Sequence, residues 1–184
     1  MAAPEHHIDP FEHAGPWTEE DFLALPLDRH IELVDGSLVM SPSGSNRHQK
    51  LGFRLCAALD VVAPAPWEVL ESANIRLLPG RILIPDVVVL ENADMDATVN
   101  DVRRVRLAVE VVSPGDAAMD RALKPQLYAQ SGIPWYLRVE QHPGAPVGHL
   151  HALDGEVYRE IAVGTTVELT EPFPATLDLA HLAR

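Results

Sequence analysis

Two short apolar runs, each carrying one carboxylate, constrain the fold of this chain more than any other feature. Residues 84–90 read IPDVVVL and residues 105–113 read VRLAVEVVS, with Asp86 at the start of the first run and Glu110 at the centre of the second. Valine-rich runs of this length predict strands buried within a sheet. Because a buried carboxylate is costly without a partner, we expect each acid to face a group that pairs with it.

Hairpin and helix signals flank these two strands. The dipeptide Asp-Gly, at residues 35–36 and 154–155, twice separates two alternating runs, which predicts a β-hairpin at each place. Residues 45–63 carry leucines at helical spacing, and residues 115–132 have a helical pattern that Pro125 interrupts. The mixture predicts an α/β (α+β) fold, in which a mixed β-sheet is flanked by helices, with added N-terminal and C-terminal β-hairpins.

Length and composition restrict the class of protein. The chain has 184 residues, of which 47% are hydrophobic, and this suits a single domain, residues 17–184, after a flexible N-terminal tail, residues 1–16. No apolar run approaches the roughly 20 residues that cross a bilayer, and the N-terminus lacks the pattern of a secretion signal. The single cysteine, Cys56, excludes an intrachain disulfide framework and favours a cytoplasmic protein without a membrane partner.

The balance of charged residues bears on possible partners. A net charge of −13 counts against broad affinity for nucleic-acid phosphates, so a nucleic-acid enzyme of this composition needs a local basic patch, metal ions or a partner chain. Lys50 and Lys124 are the only lysines among fourteen basic residues. A lysine that persists in an arginine-rich chain suggests a role that needs a compact ammonium with a tunable pKa.

Asp86 and Glu110 form a candidate metal site if their strands are neighbours. Two carboxylates held close together repel each other, and protonation, a cation or a divalent metal relieves that repulsion. Hard oxygen ligands suit Mg²⁺ or Mn²⁺, and the backbone carbonyl of Val111 could complete the set. Lys124 lies on the helix that follows the second strand, so its ammonium can return over the carboxylates. An acid pair, a metal and a lysine make a workable phosphodiesterase.

Several motifs occur in an order and spacing that resemble a known family. The motifs ELVDGSLVMSPS, HQ, IPDVVVL, AVEVVSPGD with a later lysine and tyrosine, and SGIPWYLRVE span about residues 17 to 160. Together they resemble the bacterial family of "putative restriction endonuclease domains" in the PD-(D/E)XK nuclease superfamily. The resemblance implies a mixed sheet flanked by helices and divalent-metal-dependent cleavage of phosphodiester bonds in nucleic acid, with DNA favoured.

The resemblance also implies roles for particular residues. Asp86 matches the motif aspartate and Glu110 the motif glutamate, but Val112 stands where the superfamily usually has a lysine. In this family that role passes to the lysine on the following helix, which is Lys124 here. Pro125 directly follows it, and a proline there either kinks the helix or marks its start, which decides where the ammonium points.

Two further positions match the family pattern. Glu32 lies in ELVDG and could support a metal through water, and His48 lies in HQ and could touch a phosphate or hydrogen-bond an acid. His149 and His151 alternate on a predicted strand like a pair of metal ligands, but the pattern favours an exposed face of the sheet.

Other functions stay open at this point. A non-catalytic module that keeps the fold for binding or assembly would agree with the net charge of −13 and with Pro125. A metal hydrolase of small phosphoesters would tolerate an acidic surface better than an enzyme that binds DNA. A homodimer follows only by analogy with nucleases that pair to cut two strands.

Overall fold

The computed structural model describes residues 13–25, 30–40, 44–112 and 119–184. Most of the predicted tail therefore lies outside the described residues, as does the sequence Ser-Pro-Gly, residues 113–115, after the second apolar strand. Where the predicted tail meets the domain, the ring of His13 stacks on Trp17 with centroids 3.9 Å apart.

The described residues form helices and strands in mixed order. The helices are α1 (Glu19–Leu23), α2 (Asn46–Asp60), α3 (Lys124–Gln130) and α4 (Leu179–Leu182). The strands are β1 (Ile31–Val34), β2 (Ser37–Met40), β3 (Trp67–Glu71), β4 (Ile75–Leu78), β5 (Arg81–Leu83), β6 (Val87–Glu91), β7 (Asn100–Asp101), β8 (Val105–Val112), β9 (Trp135–Glu140), β10 (Val147–Asp154), β11 (Val157–Gly164), β12 (Thr166–Leu169) and β13 (Ala175–Asp178). A 3-10 turn, Val102–Arg104, precedes β8, and a π-helical turn, Met119–Leu123, leads into α3.

Within the described residues, the strands form three sheets. A six-stranded sheet has the order β11-β10-β9-β8-β6-β3, in which β8 and β9 are parallel and the other neighbours antiparallel. A five-stranded sheet has the order β2-β1-β5-β4-β7, and β12 pairs with β13 separately. The mixed sheets flanked by helices confirm the predicted fold class, including the hairpins β1–β2 and β10–β11 near the two ends of the domain.

One long hairpin is shared between the two larger sheets. Its outer halves, β3 and β6, pair in the six-stranded sheet, whereas its inner halves, β4 and β5, pair in the five-stranded sheet. The chain passes between the sheets at Ser72, which has a positive φ of 53°, and at the segment 84–86 on the return. The N–H of Ser72 donates to the carbonyl of Asp86 at 3.0 Å, so the two crossings are joined.

Both faces of the six-stranded sheet are covered. On one face the predicted leucine stripe of α2, capped at its start by the Ser45 side chain, packs on the odd-numbered valines of β6 and β8. On the other face α3 buries Leu127 and Tyr128 against a second cluster that includes Ala108 and Tyr136. Burial on both faces explains why β6 and β8 read as nearly continuous apolar runs.

The structure decides one local alternative and corrects another local prediction. Pro125 lies in the first turn of α3, directly after the π-helical turn, which agrees with the alternative that it marks a helix start. The polar sequence before β8, which has few apolar residues and lacks a strand pattern, contributes β7, where the buried Asn100 hydrogen-bonds the carbonyl of Asn74 through its backbone N–H and its side chain. The second hairpin turns at residues 155–156, one residue later than predicted, because β10 extends through residue 154.

None of the helices in the described ranges is long and apolar enough to span a membrane.

Candidate active site

Asp86 lies between strand β8 and helix α2. It directly precedes β6, whose register with β8 pairs Val87 with Val109, so Asp86 lies at the end of β6 beside the Glu110 end of β8. Its Oδ2 accepts a hydrogen bond from the backbone N–H of Val111 at 2.6 Å, and its Oδ1 lies 3.2 Å from Nε2 of His48. Asp86 therefore links the backbone of β8 to the first turn of α2.

Glu110 occupies a closed environment at the centre of the apolar run. Its exposed fraction is 2%, and its Oε1 accepts a hydrogen bond from the hydroxyl of Tyr128 at 2.6 Å. Nζ of Lys124 lies 3.1 Å from the same oxygen. The partners of this carboxylate thus come from α3, the helix that the chain reaches after β8.

Glu32 joins the same cluster from the other large sheet. Its Oε1 accepts a hydrogen bond from the N–H of Ile84 at 2.8 Å and lies 3.1 Å from Nζ of Lys124. Its Oε2 is buried and has no hydrogen-bond partner among the described residues. Lys124 is only 7% exposed and also points towards the carbonyl of Ile84, at 3.5 Å. The lysine ammonium therefore bridges carboxylates that belong to different sheets.

The start of α3 explains how two side chains converge on Glu110. Lys124 is the first residue of α3, and Tyr128 follows four residues later on the same helical face. Pro125 fits the first turn of a helix, where a missing N–H costs little. Burial, reinforced by the nearby carboxylates of Glu110 and Glu32, raises the pKa of Tyr128 well above its ordinary value, so its hydroxyl stays a donor.

The structure brings the five predicted side chains into two adjoining groups. One consists of Asp86 with His48, and the other of Glu32, Glu110 and Lys124. The Glu110–Val111 peptide connects them, because its N–H binds Asp86 while the Glu110 side chain enters the second group.

Sequence reasoning did not assign a role to Tyr128. The signal was present, because a tyrosine four residues after the lysine belongs to the quoted motif, but only the fold shows that its hydroxyl reaches Glu110. The predicted pair of histidines on β10 is not on an open face. His149 lies 2.8 Å from Glu160, and His151, 13% exposed, packs against Tyr136.

The donor atoms of the site suit a hard divalent cation. Two buried carboxylates share one ammonium, which leaves one formal negative charge, and Oε2 of Glu32 is a buried acceptor without a hydrogen-bond donor from the described residues. Asp86 supplies two further carboxylate oxygens, each with more than one lone pair. A cluster of three or more metal-ligating side chains is not found in the described ranges, so such an ion would depend on backbone oxygen and water as well.

Comparisons with known proteins agree with this architecture. A crystal structure of "a putative nuclease belonging to DUF820" from Anabaena variabilis ATCC 29413 has the same fold, with a TM-score of 0.71 at 14% sequence identity, over 92% of this chain and 100% of that chain. No curated protein matches the chain. The family model "Uma2: Putative restriction endonuclease" matches residues 19–181, and the chain therefore belongs to this family.

Proposed function

We propose that this protein is a divalent-metal-dependent endonuclease that hydrolyses phosphodiester bonds of nucleic acid, with DNA favoured as the substrate. The observation that carries the proposal is the buried contact of Lys124 with Glu32 and Glu110, beside Asp86 on the neighbouring strand. Family membership supports a nuclease, and restriction-endonuclease-like proteins generally use divalent metals.

Asp86, Glu110 and the backbone carbonyl of Val111 are the groups proposed to hold Mg²⁺ or Mn²⁺. All are oxygen donors of the kind that these ions prefer. When bound, such an ion supplies an activated water and offsets charge on the phosphate. His48 keeps the Asp86 carboxylate in place from the α2 side, at 3.2 Å.

Lys124 is proposed to orient the attacking water and to place positive charge beside the phosphate. Glu32 and Tyr128 support it, since Glu32 holds the ammonium at 3.1 Å and Tyr128 fixes the Glu110 oxygen that the ammonium also approaches. A charge fixed before the reaction begins costs no reorganisation in the transition state. This preorganisation is the proposed contribution of the α3 side chains.

The proposal is tested by incubating the protein with plasmid, linear and single-stranded DNA, and with RNA, in the presence of Mg²⁺ or Mn²⁺. We expect metal-dependent cleavage that Glu110→Gln abolishes, because the amide keeps the size of the side chain but not its charge. Glu68→Gln is the matched control, since Glu68 is an exposed acid on β3 of the same sheet. Without cleavage by the unmodified protein, or with equal cleavage by Glu110→Gln, the proposal fails.

A further inference from the structure

A row of charged side chains continues from Glu110 across the same face of the six-stranded sheet. Strand β9 is the parallel neighbour of β8, and its register places Arg138 beside Glu110 and Glu140 beside Val112. Cross-strand partners point to the same face, and neighbouring strands lie about 4.8 Å apart. The Arg138 side chain therefore starts one strand away from the candidate active site.

Arg121 and Glu140 form an ion pair of this row that has two hydrogen bonds. Nε and Nη2 of Arg121 donate to the two oxygens of Glu140 at 3.2 and 2.8 Å, a two-pronged contact that fixes both groups. The hydrogen bonds from Arg121 are the main reason that the pKa of Glu140 is lowered. Arg121 belongs to the turn that leads into α3, three residues before Lys124, so this pair lies along the α3 side of the site.

Arg138 is less completely paired than Arg121. Its Nε lies 3.1 Å from Oε1 of Glu140, but this buried nitrogen donates no hydrogen bond to any group in the described part of the chain. The Arg138 side chain is 18% exposed, so solvent or a ligand can reach it. An arginine has five N–H donors, and the contact with Glu140 engages Nε without a hydrogen bond, so the Arg138 guanidinium keeps donors for another acceptor.

The two neighbouring groups have opposite formal charges, and only the group with Arg138 has the sign that attracts a phosphate. Counting only these described side chains, Glu32, Glu110 and Lys124 sum to one formal negative charge, whereas Arg121, Arg138 and Glu140 sum to one formal positive charge. The first charge balance suits a cation and the second suits an anion.

Glu160, the next acid along the row, does not cancel the positive charge of the group that contains Arg138. Glu160 lies on β11, two strands beyond β9, where its Oε2 is 2.8 Å from Nδ1 of His149 and 3.9 Å from Nε2 of His151. Its side chain is 46% exposed, so water screens its charge more than it screens the partly buried Glu140.

We propose that Arg138 binds a phosphate next to the one that is cleaved, with Arg121 as a positioning residue that keeps Glu140 from neutralising it. A planar guanidinium with unused donors matches phosphate geometry better than an ammonium does. The proposal rests on the proposed nuclease function and specifies its substrate class: a polynucleotide strand with consecutive phosphates, not a small phosphoester.

The test measures binding of a fluorescein-labelled DNA oligonucleotide by fluorescence anisotropy at several salt concentrations. The buffer contains Ca²⁺, which carboxylates bind as they bind Mg²⁺. We expect Arg138→Gln to weaken binding by about tenfold and to reduce the slope of log affinity against log salt by about one. Arg159→Gln is the matched control, because Arg159 is 67% exposed and lies opposite Ala152, on the other face of the sheet.

Glu140→Gln should change the affinity for the oligonucleotide in the opposite direction. Removing this carboxylate takes away the negative charge beside Arg138, so we expect tighter oligonucleotide binding, by about threefold to tenfold. If Arg138 had only a structural role, Glu140→Gln would not tighten oligonucleotide binding, because loss of the Arg121–Glu140 ion pair would only make the local structure less rigid. Thermal unfolding of each variant shows whether it is folded, and Arg138→Lys, which keeps the charge, should retain part of the affinity.

The outcomes separate this inference from the proposed function. Equal oligonucleotide binding by the unmodified protein and Arg138→Gln, or no binding by either, overturns the inference. On the activity side, Arg138→Gln should lower kcat/KM for an oligonucleotide about tenfold more than kcat/KM for a chromogenic small phosphodiester. If Arg138→Gln lowers kcat/KM by the same factor on both substrates, the nuclease proposal stands and the proposed role of Arg138 is contradicted. Binding that depends on Arg138 without any cleavage supports the phosphate site and contradicts the nuclease.

Discussion

The ammonium of Lys124 lies 3.1 Å from Oε1 of Glu110, in a place where the lysine side chain is 8% and the glutamate side chain 2% exposed. Such a pair is costly to break from one side, because the remaining charge stays buried without its partner. The same ammonium also serves Glu32, so its loss leaves two carboxylates facing each other.

We therefore expect Lys124→Met to lower the free energy of unfolding by about 3–5 kcal/mol, measured by urea denaturation. Lys50→Met is the control, because Lys50 is the other lysine of the chain and is exposed on α2. Its effect should be about 0.5 kcal/mol, typical of a surface substitution. Equal effects of the two substitutions would contradict the buried ion cluster.

Tyr128→Phe removes the hydroxyl that donates to Glu110 at 2.6 Å and nothing else. A hydrogen bond to a charged acceptor contributes about 1.5–3 kcal/mol, so stability should fall by that amount. Tyr158→Phe removes a hydrogen bond of 2.8 Å to the neutral carbonyl of Ile133 and should cost only about 0.5–1.5 kcal/mol. Denaturation of both variants at neutral pH measures the difference, and a reversed order would argue against a charged Glu110.

Asp86→Asn separates metal binding from folding. The amide oxygen can still accept the hydrogen bond from the N–H of Val111, so the variant should fold, with a melting temperature close to that of the unmodified protein. The lost charge should abolish the heat of Mn²⁺ binding in titration calorimetry. Asp154→Asn, at a carboxylate that is 70% exposed, should keep that heat. Mn²⁺ binding that survives Asp86→Asn would favour a metal site elsewhere, and no binding by any form would favour a non-catalytic module.

The thiol of Cys56 should react slowly at mildly alkaline pH. Burial, with the nearby acids Glu71 and Asp60, raises its pKa from 9.0 to about 11. Because the thiolate is the reactive form, its fraction at pH 8 falls about a hundredfold, and the reaction should accelerate as the pH rises towards 11. Labelling with a chromogenic disulfide in folded protein and in urea measures this. Equal rates in the two states would show that the thiol is open to solvent.

Pro125→Ala tests the start of α3. Since Pro125 lies in the first helical turn, where its missing N–H costs little, the substitution should change stability by about 1 kcal/mol or less. The proposed nuclease activity should survive the substitution, because Lys124 would keep its contacts with the carboxylates. A collapse of stability or activity would show that the proline holds the preceding turn in shape.

Much of this fold is legible in local patterns. The valines of β6 and β8, the leucine stripe of α2 and the Asp-Gly hairpins each depend on neighbours in the chain, and all were predicted. The division of the 67–91 hairpin between two sheets was not predicted, because both halves have the same strand character and only long-range pairing separates them.

The residues of the candidate site also fall into those that the sequence identified and those that only the fold shows. Asp86 and Glu110 stand out because each is a charge within an apolar run. Lys124 was proposed from its place on the helix that follows the Glu110 strand, and the family resemblance added Glu32 and His48, since no local pattern reports their contacts with the other acids. Arg138 lacked any such signal, because its position beside Glu110 depends on the parallel register of β9 with β8.

The hairpin that both sheets share gives the site a mechanical property. Ile84 lies where the chain crosses from one sheet to the other, with its N–H on Glu32 and its carbonyl facing Lys124, and Asp86 follows two residues later. Any rotation of one sheet against the other must therefore turn this short segment and alter both groups of acids together. The segment 84–86 therefore couples the relative orientation of the two sheets to the geometry of the carboxylates.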